Sequence, residues 1–230
     1  MGALVGIGKL FMVIEQSDLK RFVCDGIRKT VNKFRERPFI FFTEMDIHSY
    51  LYYCLYSSKF EVETKEGIIT SCIHKEYPTN FRYSKKTMKD YGLKKAGRRG
   101  NYDIAVLNPK FIREFDIKNV VNKDVRDLEI RSRNKEKFRS ELIAAIELKY
   151  VINNNKKFID EIEKDIKKLS IASKYQSFEA YNLVFCNHEY QYMRELKETV
   201  EKANQPIKSI LAISYYKNSK KVTPKPTTNG

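Results

Sequence analysis

The stretch LIAAIELKY, residues 142–150, decides how the rest of the chain is read. Six of its nine residues are aliphatic, the mark of a central strand buried on both faces. Glu147 and Lys149 stand inside it, two positions apart. Side chains at that spacing share one face of a strand. Burying them costs several kcal/mol unless the charges are paired or liganded. The strand therefore carries charge for a purpose.

Working outward, NYDIAVLN at 101–108 reads as a second apolar strand with one acid, Asp103, and it closes on Asn-Pro. Before it lie KFEVETKEGIITSCIHKEYPT, read as strands with a turn near Gly67 and a stop at Pro78, and a basic, glycine-containing loop over 81–101. Residues 17–36 place Leu19, Val23, Ile27, Val31 and Phe34 at helical spacing, with Ser17 as the expected cap. Thr43, followed three residues later by Asp46, predicts a capping box opening a second helix, with Ile47, Leu51, Cys54 and Leu55 as its buried stripe.

Downstream of 142–150, residues 153–170 form an Asn-capped helix with a stripe of Phe158, Ile159, Ile162, Ile166 and Leu169. AYNLVFCN is a further strand, 190–204 a helix and IKSILAISYY a last strand, while the charged stretch 113–140 holds a helical excursion over 119–130. The expected fold is α/β, a mixed sheet covered by helices. It divides into an N-terminal helical extension (1–42), a main domain (43–216) and a basic tail (217–230) too poor in apolar residues to pack.

With 44 Lys and Arg against 29 Asp and Glu, the net charge is +15 over 230 residues. Such a surplus suits a polyanion, since positive surfaces steer nucleic acid and gain affinity from released counterions. An anionic membrane surface or a merely lysine-rich composition is the competing explanation. Cys24, Cys54, Cys72 and Cys186 make no CxxC pair, which argues against a zinc site of ordinary spacing and suits reduced thiols in the cytoplasm. The apolar start MGALVGIGKLFMVI lacks a basic n-region, and no stretch reaches the length of a membrane span. ALVGIGKL fails as a phosphate loop, because Ala3 and Leu10 stand where the motif needs glycine and a hydroxyl.

Asp103 and the Glu147-Leu148-Lys149 triplet together give a D…ExK pattern carried on two apolar strands. It resembles the PD-(D/E)xK nuclease superfamily over roughly residues 43–187, in the order acidic helix, strand hairpin with Asp, strand with ExK, helix, strand. Tyr102 stands where that family usually has proline. The resemblance implies a restriction-endonuclease-like core in αβββαβ order and a Mg²⁺- or Mn²⁺-dependent phosphodiesterase. DNA is favoured over RNA as substrate, with a homodimer or a partner protein compatible.

The chemistry accounts for the residue types. Two carboxylates from neighbouring strands, Asp103 and Glu147, with the Leu148 carbonyl, offer hard oxygen ligands for a divalent ion. Lys149 would orient the attacking water or stabilise the pentavalent phosphate. Glu44 lies on the buried stripe of its helix and resembles the family's N-terminal catalytic Glu; interaction with the helix dipole explains it equally well. Glu76, and Asp165 with Lys168 on the helix after ExK, are expected to support the site, although for Asp165 and Lys168 a surface ion pair is the plainer explanation. His48 reads as structural or as a phosphate contact.

Residues 82–99 hold eight Lys/Arg against one Asp and lead into the Asp103 strand. Lys94, Lys95, Arg98 and Arg99 are the expected phosphate contacts. A non-catalytic nucleic-acid-binding module of the same fold and an RNA-directed nuclease are the alternatives; a purely structural protein leaves Glu147 and Lys149 unexplained.

Overall fold

The computed structural model describes residues 15–84, 89–92, 97–114, 138–203 and 207–214. Within them the architecture is α/β, a six-stranded mixed sheet flanked by helices. Helices α1 (Gln16–Glu36) and α2 (Glu44–Leu55) come first. A small antiparallel ribbon follows, β1 (Glu61–Glu63) with β2 (Ile69–Ser71). Then come β3 (Ile73–Tyr83), β4 (Asp90–Gly92), β5 (Arg98–Leu107) and the short α3 (Pro109–Glu114). The chain continues with β6 (Leu142–Val151), α4 (Lys157–Ala172), β7 (Glu179–Cys186), α5 (Met193–Glu201) and β8 (Ile207–Ile213).

Strand order across the main sheet is β4-β3-β5-β6-β7-β8. The first four strands pair antiparallel, and β6, β7 and β8 run parallel. The parallel half needs crossovers, which α4 and α5 supply. LIAAIELKY is thus the pivot strand, with a different kind of neighbour on each side. Along β6 only Lys149 escapes full burial, as a strand covered on both faces requires.

Alternation along β6 and β7 separates the two covering layers. Tyr150 and Phe185 turn to α1, where both rings meet Phe34. Val151, Val184 and Cys186 turn the other way and pack with Phe158, Ile159 and Ile162 of α4 and Leu196 and Val200 of α5. The N-terminal helix belongs to this core, because Leu19, Val23, Ile27, Val31 and Phe34 cluster with the sheet residues. Gly26 makes the α1–α2 approach possible, since a Cβ there would lie 2.5 Å from the Leu55 side chain.

Three local expectations are corrected. Ser17 does not cap α1, which begins one residue earlier behind Glu15, with no side-chain cap bond. Pro78 does not end a strand. It pairs with Asn101 inside β3, at the start of the register shift that runs to Arg82, and a bulge tolerates a residue without an N–H. The basic loop over 81–101 is in its described parts a continuation of the β3–β5 hairpin, with β4 on its outer edge. The excursion over 119–130, the tail 217–230, and Lys94 and Lys95 lie outside the described residues.

Candidate functional site

The β5–β6 ladder runs from Leu107↔Leu142 to Ile104↔Ile146. The paired register ends there; continued by one step it sets Asp103 across from Glu147, and directly opposed residues of antiparallel strands share a face. That face also carries Ala145 and Lys149 and looks toward α4. Beyond this point side chains take over the ladder's role. The Leu148 amide donates to Asp103 Oδ2 at 2.7 Å, and the Tyr150 amide donates to Glu44 Oε2 at 2.9 Å. A strand residue's N–H and C=O point to the same edge, so the Leu148 carbonyl faces the same fork as its amide.

Helix α2 delivers Glu44 to that fork. Its start is set by a full capping box, in which Thr43 accepts from the Asp46 amide and Asp46 accepts from the Thr43 amide. Thr43 is therefore the cap and Asp46 its partner in the box, and Glu44 at the first helical position is left to reach β6. One turn on, His48 is buried and its Nε2 lies 2.8 Å from the Asp103 carbonyl oxygen, which ties α2 to β5. His48 thus holds the strand that presents Asp103.

Glu147 and Lys149 find separate partners. Lys149 Nζ donates to Glu44 Oε1 at 3.2 Å and lies 3.9 Å from Glu161. Glu147 Oε2 accepts from Lys168 of α4 at 2.5 Å, and the same ammonium donates to the Asn101 carbonyl at 3.0 Å and stands 3.6 Å from Asp165. Lys168 is only 8% exposed, so the surface pair expected for Asp165 and Lys168 is corrected: α4 turns this lysine inward. Its alkyl stem is long enough to cross the helix–sheet gap while keeping the ammonium on oxygen.

These neighbours set the protonation. Burial pushes the Glu147 carboxyl well above the usual range; Lys168 opposes that and the nearby Asp103 charge adds to it. Burial also raises Asp103, against the Leu148 amide bond and Lys168, which lower it. Asp165 is pushed up to about 6, chiefly by burial, with Lys168 and Lys149 opposing. For Lys149 and Lys168 burial pulls downward, but the surrounding carboxylates outweigh it and raise both, so both stay charged.

Other expected residues stay apart. Glu76 lies between β3 residues that pair with Ile104 and Tyr102, hence beside Asp103 in register, yet it is not drawn into the cluster. Its backbone is left-handed, with φ 51°, which breaks the facing pattern, and its exposed carboxylate accepts from Asn101 Nδ2 at 3.3 Å. Arg98 is exposed, and Arg99 lies in β5, its side chain outside the described set.

Among the buried polar groups that sequence reading missed are Glu141 and Asn182. Glu141, fully buried just before β6, accepts from Tyr77 and Asn80 of β3 and from Gln176. Its only sequence signal is an acid abutting an apolar strand. Asn182 of β7 pairs with Glu147 in register and is fully buried; neither of its amide atoms has a hydrogen-bond partner among the described residues, and neither has Glu147 Oε1.

Among the described residues, no group of three or more His, Cys, Asp or Glu side chains is arranged to hold a metal ion. At the fork the Asp103 and Glu147 carboxylates and the Leu148 carbonyl make a hard-cation set, and Glu147 Oε1 has no hydrogen-bond partner among the described residues. No described helix is long and apolar enough to cross a membrane. No family model matches the chain, and no curated protein or solved structure matches it.

Proposed function

We propose that this chain is a divalent-metal-dependent phosphodiesterase acting on nucleic acid, DNA in preference to RNA, with a restriction-endonuclease-like core. The observation that carries the reading is the fork itself: the Asp103 carboxylate of β5 bonded to the Leu148 amide of β6, between Glu147 and Lys149, with Glu44 alongside. Asp103, Glu147 and the Leu148 carbonyl would hold the ion, which when bound supplies Lewis-acid stabilisation of phosphate charge and activation of water.

The chain's own residues divide the remaining tasks. Lys149, kept charged by Glu44 first and then by Asp165 and Glu161, is a donor rather than a base, suited to orienting the attacking water or meeting the pentavalent phosphate. Glu44 fixes that ammonium with one oxygen and the strand amide of Tyr150 with the other. His48 holds the Asp103 backbone. The +15 charge and the basic β3–β5 hairpin supply the attraction for a polyanion.

A second reading has its own support. Lys168 already neutralises Glu147, which suits a non-catalytic nucleic-acid-binding module of the same fold. A titration of Mg²⁺ and Mn²⁺ against labelled DNA and RNA, with product ends mapped, separates the two. The enzyme predicts cleavage that EDTA abolishes. The module predicts binding without cleavage at any metal concentration.

A further inference from the structure

Lys168 is the buried cation of this site. Its ammonium contacts three oxygens: Glu147 Oε2 at 2.5 Å, the Asn101 carbonyl at 3.0 Å and Asp165 Oδ1 at 3.6 Å. Two of these, Glu147 and Asn101, flank Asp103 across and along the strands. The Lys168 side chain is 10% exposed and that of Glu147 2%, so this is a desolvated ion pair. Such a pair persists because each partner alone would be an uncompensated buried charge. Lys149 does not compete for the role, since its ammonium is engaged by Glu44 at the other side of the fork.

We propose that Lys168 is a built-in counter-ion occupying the cation position between the Asp103 and Glu147 strands, and that a divalent ion binds by displacing it. This rests on the metal-dependent reading above. The ammonium has somewhere to go. Asp165, one turn earlier on α4, already stands 3.6 Å away, so a small rotation of the long side chain moves the ammonium from Glu147 to Asp165. Lys168 is therefore a positioning residue. It keeps Glu147 in place before the metal arrives, and it weakens the metal's apparent affinity by the competition.

The test compares Mn²⁺ binding by calorimetry in the full chain, wild type against Lys168→Met, with metal-free thermal unfolding of both. Removing a competing positive charge a few ångströms from the ion should tighten Mn²⁺ binding at least about tenfold. The metal-free variant should unfold at lower temperature, and Mn²⁺ should stabilise it more than it stabilises wild type. Lys168→Arg keeps the charge and should show no gain in affinity. If Lys168→Met does not fold, Lys168→Gln, whose amide can still donate to Glu147, carries the same expected gain. Binding that is unchanged or weaker in the neutral variants, with wild type binding normally, overturns the inference: Lys168 then only props Glu147. No Mn²⁺ uptake by any of the proteins overturns the metal-dependent reading, and the inference with it.

Discussion

Asp103→Asn is the perturbation that most directly tests the fork. The amide is nearly isosteric, and its oxygen can still accept from the Leu148 amide, now 2.7 Å from Asp103 Oδ2. That bond falls from a charge-assisted one, worth about 1.5–3 kcal/mol, to a neutral one of about 0.5–1.5 kcal/mol. Against that loss, a carboxylate whose charge is penalised by burial and by the Glu44 charge is replaced by a neutral group. The two changes offset, so the melting temperature should move by only about 4 °C or less. Catalysis has no such offset. If the bound ion contributes about 4 kcal/mol of charge stabilisation and loses an anionic ligand, cleavage falls about a thousandfold at 1.36 kcal/mol per decade. The assay is Mg²⁺- and Mn²⁺-dependent cleavage of one labelled DNA by both proteins, with binding measured in EDTA. Binding in EDTA should hold or strengthen slightly, because a repulsive carboxylate near the phosphate is gone. Equal cleavage by wild type and Asp103→Asn would refute the assignment, and a large drop in melting temperature would show that Asp103 serves the fold rather than the chemistry.

Replacing Lys94, Lys95, Arg98 and Arg99 by Ala should lower the log–log salt slope of duplex DNA binding by roughly 0.9 for each phosphate no longer neutralised; an unchanged slope would make this segment a solvated face. Asp165, pushed up to about 6, contributes stability that is present below its ordinary value near 3.8 and lost as pH rises through about 6. Denaturant unfolding at pH 4.5 and 6.5 should therefore differ less in Asp165→Asn than in wild type, by up to about 2 kcal/mol, and identical profiles would exclude the effect. Asn182→Leu removes a fully buried amide without partners among the described residues and should raise stability by about 1–2 kcal/mol; a loss of stability would mean that this amide is hydrogen-bonded in solution.

Periodicity and capping chemistry were legible in the sequence because they are local. The six aliphatic residues of LIAAIELKY required a covered strand, and β6 proved to be the pivot of the sheet. Thr43 with Asp46 announced the start of α2, since a capping box closes within four residues. Period-2 alternation placed Glu147 and Lys149 on one face, and the D and ExK segments lie on two strands that pair side by side, β5 and β6. What sequence could not supply was the partner of each charge. Lys149 is bonded to Glu44, 105 residues away, and Glu147 to Lys168, 21 residues away on the crossover helix α4. On α4 by itself, Asp165 and Lys168 make an ordinary surface pair; only the packing of that helix against β6 turns Lys168 into a buried cation. Glu76 failed in the opposite direction, because strand alternation assumes regular backbone and a positive φ cancels it. Burial and electrostatic pairing depend on which surfaces the folded chain brings together, and spacing along the sequence carries that information only within an element.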